Sequence, residues 1–260
     1  TGGDFLRLSM MHPSIEITGL VANTHAGKQV AEVFPHLAQA DLPAMVTLEE
    51  INWSEVDAVI CGLPHGTAEE IIAELPDHLR IIDMSADFRL RDTATYQQWY
   101  GLEHSAPALV KKAVYGLSEH YRDDIASADL VACPGCYPTA ALMALLPVVR
   151  DEVISPEDLI IDAKSGVTGA GRALKQNTLF SEAGEGLSPY AIAGHRHAPE
   201  IEQELSLQAG SDVTVNFTPH LIPMSRGELV TCYAKLADGM TLTDVRRSLE
   251  AAYQDRPFVR

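Results

Sequence analysis

Cys133 and Cys136 are separated by two residues in VACPGCYPTAALMALLPVV, residues 131–149, and a tyrosine, a proline and a long apolar run follow. Such a pair can exchange thiol for disulfide, supply half of a zinc site, or act as one nucleophile beside a bystander. Both can also be inert packing residues. Thioredoxin-like exchange requires the pair to straddle a helix start inside a small fold of its own, and the sequence around residue 130 has no such context. A structural zinc needs two further Cys or His ligands at matching spacing; no second CxxC exists, which leaves His195 and His197 as the remaining source. The fixed φ of Pro138 suits a first helical turn and so places Cys136 just before a helix, where free N–H groups and the positive end of the helix dipole lower a thiol pKa from about 8.5 into the reactive range. Cys133 falls at the end of a presumed strand, where a cysteine behaves as a small buried hydrophobe.

A nucleophilic cysteine needs an acid/base partner, and histidine titrates in the useful range. GHRHAPEI, residues 194–201, offers His195 and His197. Pro199 and Glu200 fit the first turn of a helix, so both histidines sit in the loop before it, free to reach a site; a solvent-exposed, idle histidine is the bland alternative. KSGVTGAGR, residues 164–172, follows a strand and carries Gly166 and Gly169 between Lys164 and Arg172. Such a loop can bring backbone N–H groups close to a phosphate or a nicotinamide carboxamide, although glycines also simply make turns. DMSADFR, residues 83–89, ends a strand with the Ser85 hydroxyl and the Arg89 guanidinium. Arg89 can clamp a carboxylate or phosphate in bidentate fashion, or form an ordinary surface salt bridge.

The elements that must position these groups alternate. Periodicity predicts a helix over 3–11 ending before Pro13, and a strand over 15–22. Strand, helix and strand follow over 57–63, 67–75 and 80–84, then a strand over 130–133 feeding a helix over 139–149. This order predicts an α/β, doubly wound parallel sheet. Beyond residue 150 the strands lengthen, at 159–163, 212–217 and 228–236, with helices only at 199–207 and 242–253, which predicts a second, α+β domain packed closely on the first. The boundary is set at 1–135 and 136–260.

The chain has 260 residues, enough for one or two domains, and no apolar run near the roughly 20 residues of a membrane helix. Its formal charge of −17 argues against the basic footprint that nucleic acid or an anionic membrane requires, so an anionic ligand needs a local cluster of Arg and Lys. Four cysteines in no spaced framework read as reduced thiols of a cytoplasmic protein. The chain opens on Thr1 with a helix ahead of the first predicted strand, as a βαβ unit without its first strand would, and it stops at Arg260 just as an apolar stretch begins.

Eight segments in order, TGGDFLRL, CGLPHG, DMSADFRL, VYGLSEHY, CPGCYPTAALMALLPV, KSGVTGAGR, GHRHAPEI and FTPHLIPMSRGELVT, resemble the N-acetyl-gamma-glutamyl-phosphate reductases of arginine biosynthesis. CPGCYPTA and GHRHAPEI are specific to that family within the wider group containing aspartate-semialdehyde dehydrogenase. The resemblance implies a Rossmann-type domain that binds NADP and a second catalytic domain in a homodimer or homotetramer. It implies reductive dephosphorylation of a small acyl phosphate, N-acetyl-L-glutamyl 5-phosphate, through a thioester on Cys136, with release of inorganic phosphate, an acid/base drawn from His195 and His197, and no metal. Thr1, Gly2 and Gly3 would be the end of the family's glycine-rich phosphate turn. Asn23, Thr24 and Lys28 would meet the adenosine ribose and its 2′-phosphate. Leu63, Pro64 and His65, with Gly166 and Gly169, would line the cofactor cleft, and Ser85, Arg89, Arg172 and Arg196, with Lys164 nearby, would hold the substrate. A lysine-pathway homologue acting on an acidic carrier protein is the nearest rival, and a −17 chain would repel such a carrier. A non-catalytic nucleotide-sensing module is a second, against which the intact Cys136 and histidine pair speak.

Overall fold

A computed structural model describes residues 2–260; Thr1 lies outside the described residues. The chain begins with α1 (Gly2–Ser9), then β1 (Leu20–Val21), a 3₁₀ turn at Asn23–His25, α2 (Val30–Val33) and β2 (Met45–Val46). β1 and β2 form a parallel pair of their own. The strand expected over 15–22 is therefore confined to two residues: a strand persists only where a neighbour accepts its ladder, and β2 offers just two positions.

A second, all-parallel sheet follows in the order β3 (Ala58–Cys61), β4 (Arg80–Asp83), β6 (Leu130–Ala132), β5 (Val114–Tyr115). Its strands are short, near-continuous apolar runs, as parallel strands covered by helices are. The helices between them are α3 (Ala68–Glu74), α4 (Thr93–Tyr100), α5 (Pro107–Val110) and α6 (Arg122–Ser127). Sequence sets their ends: the Asp92 carboxylate accepts from the amides of Ala94 and Thr95, and Gly101 closes α4 at φ 73°, where a side chain would be strained.

From β6 the chain enters α7 (Cys136–Arg150). β7 (Leu159–Ser165), α8 (Phe180–Ala183), β8 (Ser188–Pro189), α9 (Ala198–Ala209), β9 (Val215–Leu221), β10 (Glu228–Tyr233) and α10 (Leu242–Tyr253) complete the chain. The third sheet runs β10-β7-β9-β8, with β7 parallel to β9 and both outer strands antiparallel. One of its faces lies under α7 and α9 in the largest apolar cluster, which runs from Tyr115 through Leu142, Leu146 and Ile161 to Phe217. The expected α/β fold with a Rossmann-type parallel sheet and an added α+β unit is thus present, and β9 extends beyond its predicted end through Pro219.

Pro147 lies inside α7, where it removes the N–H that would have bonded the carbonyl of Met143. The Tyr253 hydroxyl of α10 donates to that carbonyl at 2.6 Å and also meets His120 Nε2 at 2.7 Å. A break in the helix carrying Cys136 is thereby repaired from a distant element.

Candidate active site

The reactive corner forms where β6 turns into α7. Gly135 caps the helix, and a Cβ there would stand 2.5 Å from His197 Nε2, so only glycine permits the approach. Its amide donates to Glu200 Oε1 at 2.8 Å, and the Tyr115 hydroxyl donates to the same oxygen at 2.8 Å. Glu200 is buried in the first turn of α9, with Arg89 Nη1 3.5 Å from its other oxygen. Arg89 also donates from Nε to the Cys133 carbonyl at 2.7 Å and from Nη2 to Met84 at 3.1 Å. One carboxylate and one guanidinium therefore tie the ends of β4 and β6 to α9.

Cys136 is the first residue of α7, one step further in than expected, and Pro138 is the third. Proline fits there because first-turn N–H groups have no intrahelical partner. Cys136 faces solvent, whereas Cys133 is half-buried. The thiol does not follow the expected downward shift. Desolvation, and then the negative charge of the Glu228 carboxylate, push it up to about 12, while the amides of Tyr137 and Cys136 pull the other way. At rest the residue is a thiol.

His195 lies in the loop before α9 and His197 is its N-cap residue. Their rings are 4.7 Å apart, edge to face, and both meet the Tyr137 ring edge-on. Burial, with Arg196 adjacent, lowers His195 to about 4; deeper burial, with His195 adjacent, lowers His197 to about 2. Both are neutral. His195 Nδ1 accepts from the amide of His197 at 3.1 Å, which assigns its proton to Nε2. His197 Nδ1 is buried without a partner.

A cleft of about 860 Å³ lies over this corner, lined by Cys136, both histidines, Arg89, Arg196 and Tyr190 among others. Arg196 reaches across it, donating to His65 Nε2 at 3.0 Å and lying 5.2 Å over the Tyr100 ring. Gly169 lines the cleft next to Ser165. Gly166 does not: it is buried where a Cβ would stand 2.8 Å from Arg226 N, so it serves close backbone packing. Of the predicted substrate ligands the structure brings Arg89 and Arg196 to the cleft. Ser85 is consumed elsewhere, its hydroxyl donating to the buried Asp83 at 2.6 Å and accepting from Asp87 N at 3.1 Å. Arg172 lies 4.8 Å over the Phe34 ring, and Lys164 pairs with Asp162. Leu63 and Pro64 precede His65 at the end of β3, outside the lining.

The predicted nucleotide ligands cluster at the other end of the first half. Gly2 opens α1 with nothing within 4 Å of where a Cβ would stand, whereas a Cβ at Gly3 would stand only 2.8 Å from the Phe34 ring, so Gly3 serves close packing. Asn23, Thr24 and Lys28 are exposed around the 3₁₀ turn, beside the unpartnered buried Nδ1 of His25. The N-terminus of α1 and the polar side chains after β1 suit the phosphates and ribose of a dinucleotide. Among the described residues no cluster of three or more His, Cys, Asp or Glu is arranged to hold a metal. Sequence reasoning passed over Glu200, Tyr190 and Glu228; Glu200 stood inside a quoted motif, but only its helix position was read.

Residues 1–128 match the family described as Semialdehyde dehydrogenase, NAD binding domain, and residues 136–260 match Semialdehyde dehydrogenase, dimerisation domain. The whole chain is 50% identical to the probable N-acetyl-gamma-glutamyl-phosphate reductase, chloroplastic, of Arabidopsis thaliana. It is 51% identical to the N-acetyl-gamma-glutamyl-phosphate reductase of Rhodospirillum rubrum. The chain belongs to the N-acetyl-gamma-glutamyl-phosphate reductase family. It spans 65% of the length of that Arabidopsis reductase and 75% of the Rhodospirillum one. The reductase family's fold extends to distant structures. An aspartate semialdehyde dehydrogenase II of Vibrio cholerae complexed with ASA superposes with a TM-score of 0.65 at 16% identity, over 97% of this chain and 76% of that one. The aspartate semialdehyde dehydrogenase of Candida albicans with NADP gives 0.63 at 16%, over 94% and 71%.

Proposed function

We propose that this chain carries out the reductive dephosphorylation of N-acetyl-L-glutamyl 5-phosphate to N-acetyl-L-glutamate 5-semialdehyde, dependent on NADPH, in arginine biosynthesis. The observation that carries the reading is Cys136 at the mouth of α7, open to a cleft walled by two neutral histidines and two arginines. In this scheme Sγ of Cys136 bonds to the acyl carbon while the C–O bond to phosphate breaks, and inorganic phosphate leaves with the bonding pair. Arg196 and Arg89 are placed to hold the phosphate and carboxylate of the substrate. Amides at the start of α7 face the developing oxyanion, and His195, its proton on Nε2, donates toward it.

Gly2, Gly3, Asn23, Thr24 and Lys28 would hold the dinucleotide, with Leu63, Pro64 and His65 along its path to the cleft. NADPH, when bound, supplies the hydride that takes the thioester to the aldehyde level. The orientation of His195 and His197 around the sulfur, and the exclusion of water by Tyr137 and Phe217 beneath them, keep the thioester from hydrolysis. Free cysteines and the absence of any helix long and apolar enough to cross a membrane, among the described residues, support a reducing, cytoplasmic setting, although the plant relatives' names read chloroplastic. The outward face of the third sheet exposes Ile160, Leu229 and Tyr233, which supports a homodimer or homotetramer.

Phosphate-dependent NADP reduction with N-acetylglutamate semialdehyde tests the reading in wild type, Cys136→Ala and Cys133→Ala. Loss of turnover in Cys136→Ala alone is the expected result; loss in both would make the cysteines a joint pair, and a silent wild type would remove the substrate assignment.

A further inference from the structure

Asp87 stands in the DMSADFR motif, fully buried and outside the lining of the cleft. Both of its carboxylate oxygens are occupied by donors. The Gly66 amide donates to Oδ1 at 2.9 Å and to Oδ2 at 3.0 Å, the Glu69 amide to Oδ2 at 3.2 Å, and the Tyr96 hydroxyl to Oδ1 at 2.8 Å. Its backbone is held as well: the amide donates to Ser85 Oγ at 3.1 Å, and the carbonyl accepts from His104 Nε2 at 2.8 Å. Two lines of contact lead from this carboxylate to one guanidinium. Gly66, at φ 78°, directly follows His65, whose Nε2 accepts from Arg196 at 3.0 Å. The Tyr96 ring stacks on Tyr100 at 4.8 Å, and Arg196 lies 5.2 Å over the Tyr100 ring. His65 and Tyr100 meet edge to face at 5.5 Å, which joins the two lines at their far end.

The two arginines of the cleft differ in what their charge already faces. Arg89 stands 3.5 Å from the Glu200 carboxylate and gives two further donors to carbonyls. Arg196 rests instead on an aromatic ring and on an imidazole nitrogen that must be unprotonated to accept, supports that leave its charge to an incoming anion. We propose that Arg196 is the ligand of the substrate's phosphate and that Asp87 is the positioning residue that aims it. This rests on the reading of the chain as an acyl-phosphate reductase. Asp87 fixes the turn that carries His65 and the ring on which Tyr100 stacks, both on the parallel-sheet side, whereas Arg196 comes from the loop before α9 on the other side. The aim of the guanidinium is therefore set from across the cleft. A planar guanidinium binds phosphate through paired N–H groups and needs a fixed plane to do so. With Asp87 altered, Arg196 keeps its charge and loses its direction.

Phosphate-dependent NADP reduction with N-acetylglutamate semialdehyde, run on the full chain, separates three Michaelis constants. Arg196→Ala raises the KM for inorganic phosphate about tenfold to 10²-fold, the loss of a charge-assisted hydrogen bond. Asp87→Asn raises the same constant about five- to tenfold, and moves the KM values for NADP and for the semialdehyde by less than about twofold. In the double variant the phosphate KM stays at the Arg196→Ala value, because the aim of an absent guanidinium no longer matters. If Asp87→Asn does not fold, Tyr96→Phe carries the same test: it removes one hydroxyl from the carboxylate, leaves the backbone donors, and raises the phosphate KM about two- to threefold. That rise also vanishes in the Arg196→Ala background. An unmoved phosphate KM in any single variant overturns the proposal. So does an equal rise in all three constants, which a merely structural role would produce, and so does full additivity in the double variant. A silent wild type removes the acyl-phosphate reading and this assignment with it, whereas an active wild type beside an unmoved phosphate KM removes the assignment alone.

Discussion

The corner bearing Cys136 and the corner bearing the proposed nucleotide ligands rest on very different foundations. α7 and α9 sink into the large cluster that runs from Tyr115 to Phe217, and their polar groups are pinned by Glu200 and Arg89. α1 and β1 lean on a small cluster of Leu6, Val30, Leu37 and Met45, and on a sheet of two short strands. Chemistry at a sulfur tolerates little displacement, since a misplacement of about 1 Å can cost about 10²-fold in rate. Phosphate binding through backbone N–H groups and flexible side chains tolerates more. The molecule concentrates burial where geometry is strict.

Breaking the strict side produces the largest effect. Cys136→Ala should lower turnover by more than about 10⁴-fold while leaving the melting temperature nearly unmoved, because the residue is exposed; a steady-state assay and a thermal scan check both halves. Glu200→Ala should cost about 3–5 kcal/mol, because it strands Arg89, the Tyr115 hydroxyl and the Gly135 amide in a buried place. Urea unfolding measures that loss, and a value under about 1 kcal/mol would show that the corner does not depend on its carboxylate.

The two foundations can be weighed directly. Leu142→Ala in the large cluster should cost about 4–5 kcal/mol and Leu6→Ala in the small one about 2, since a thinner cluster collapses around the gap. Equal costs from the same unfolding curves would erase the contrast. Acid sharpens it. Between His195's ordinary 6.5 and its folded value of about 4, the unfolded chain takes up a proton that the folded chain refuses, so wild type loses stability relative to His195→Gln as the pH falls. The slope reaches about 1.4 kcal/mol per pH unit, measurable by paired urea titrations from neutral pH downward. The smallest effect is expected for Tyr253→Phe, which leaves the Met143 carbonyl without a donor and costs about 1–2 kcal/mol.

Local patterns exposed much of this arrangement in the sequence. The helix after Cys136, the loop carrying His195 and His197, and the alternation that builds the parallel sheet all depend on neighbours within a few residues, and periodicity reports such neighbours well. The strand over 15–22 was overextended because its apolar residues say nothing about how long a partner strand is. Ser85 looked like a ligand because hydroxyl and guanidinium groups share a motif, yet Asp83, two residues away, claims the hydroxyl. Glu228 was invisible for another reason: its place opposite Ser165 at the cleft depends on the register between β10 and β7, which no local window contains.

The repair of α7 at Pro147 sets an order of events on the ribosome. The Met143 carbonyl waits for a hydroxyl that follows 110 residues later. At synthesis rates of about 5–20 residues per second the interval is roughly 5–20 s. During that time the helix that begins at Cys136 exists with an open carbonyl one turn before Pro147, and the arrival of Tyr253 is the step that closes it.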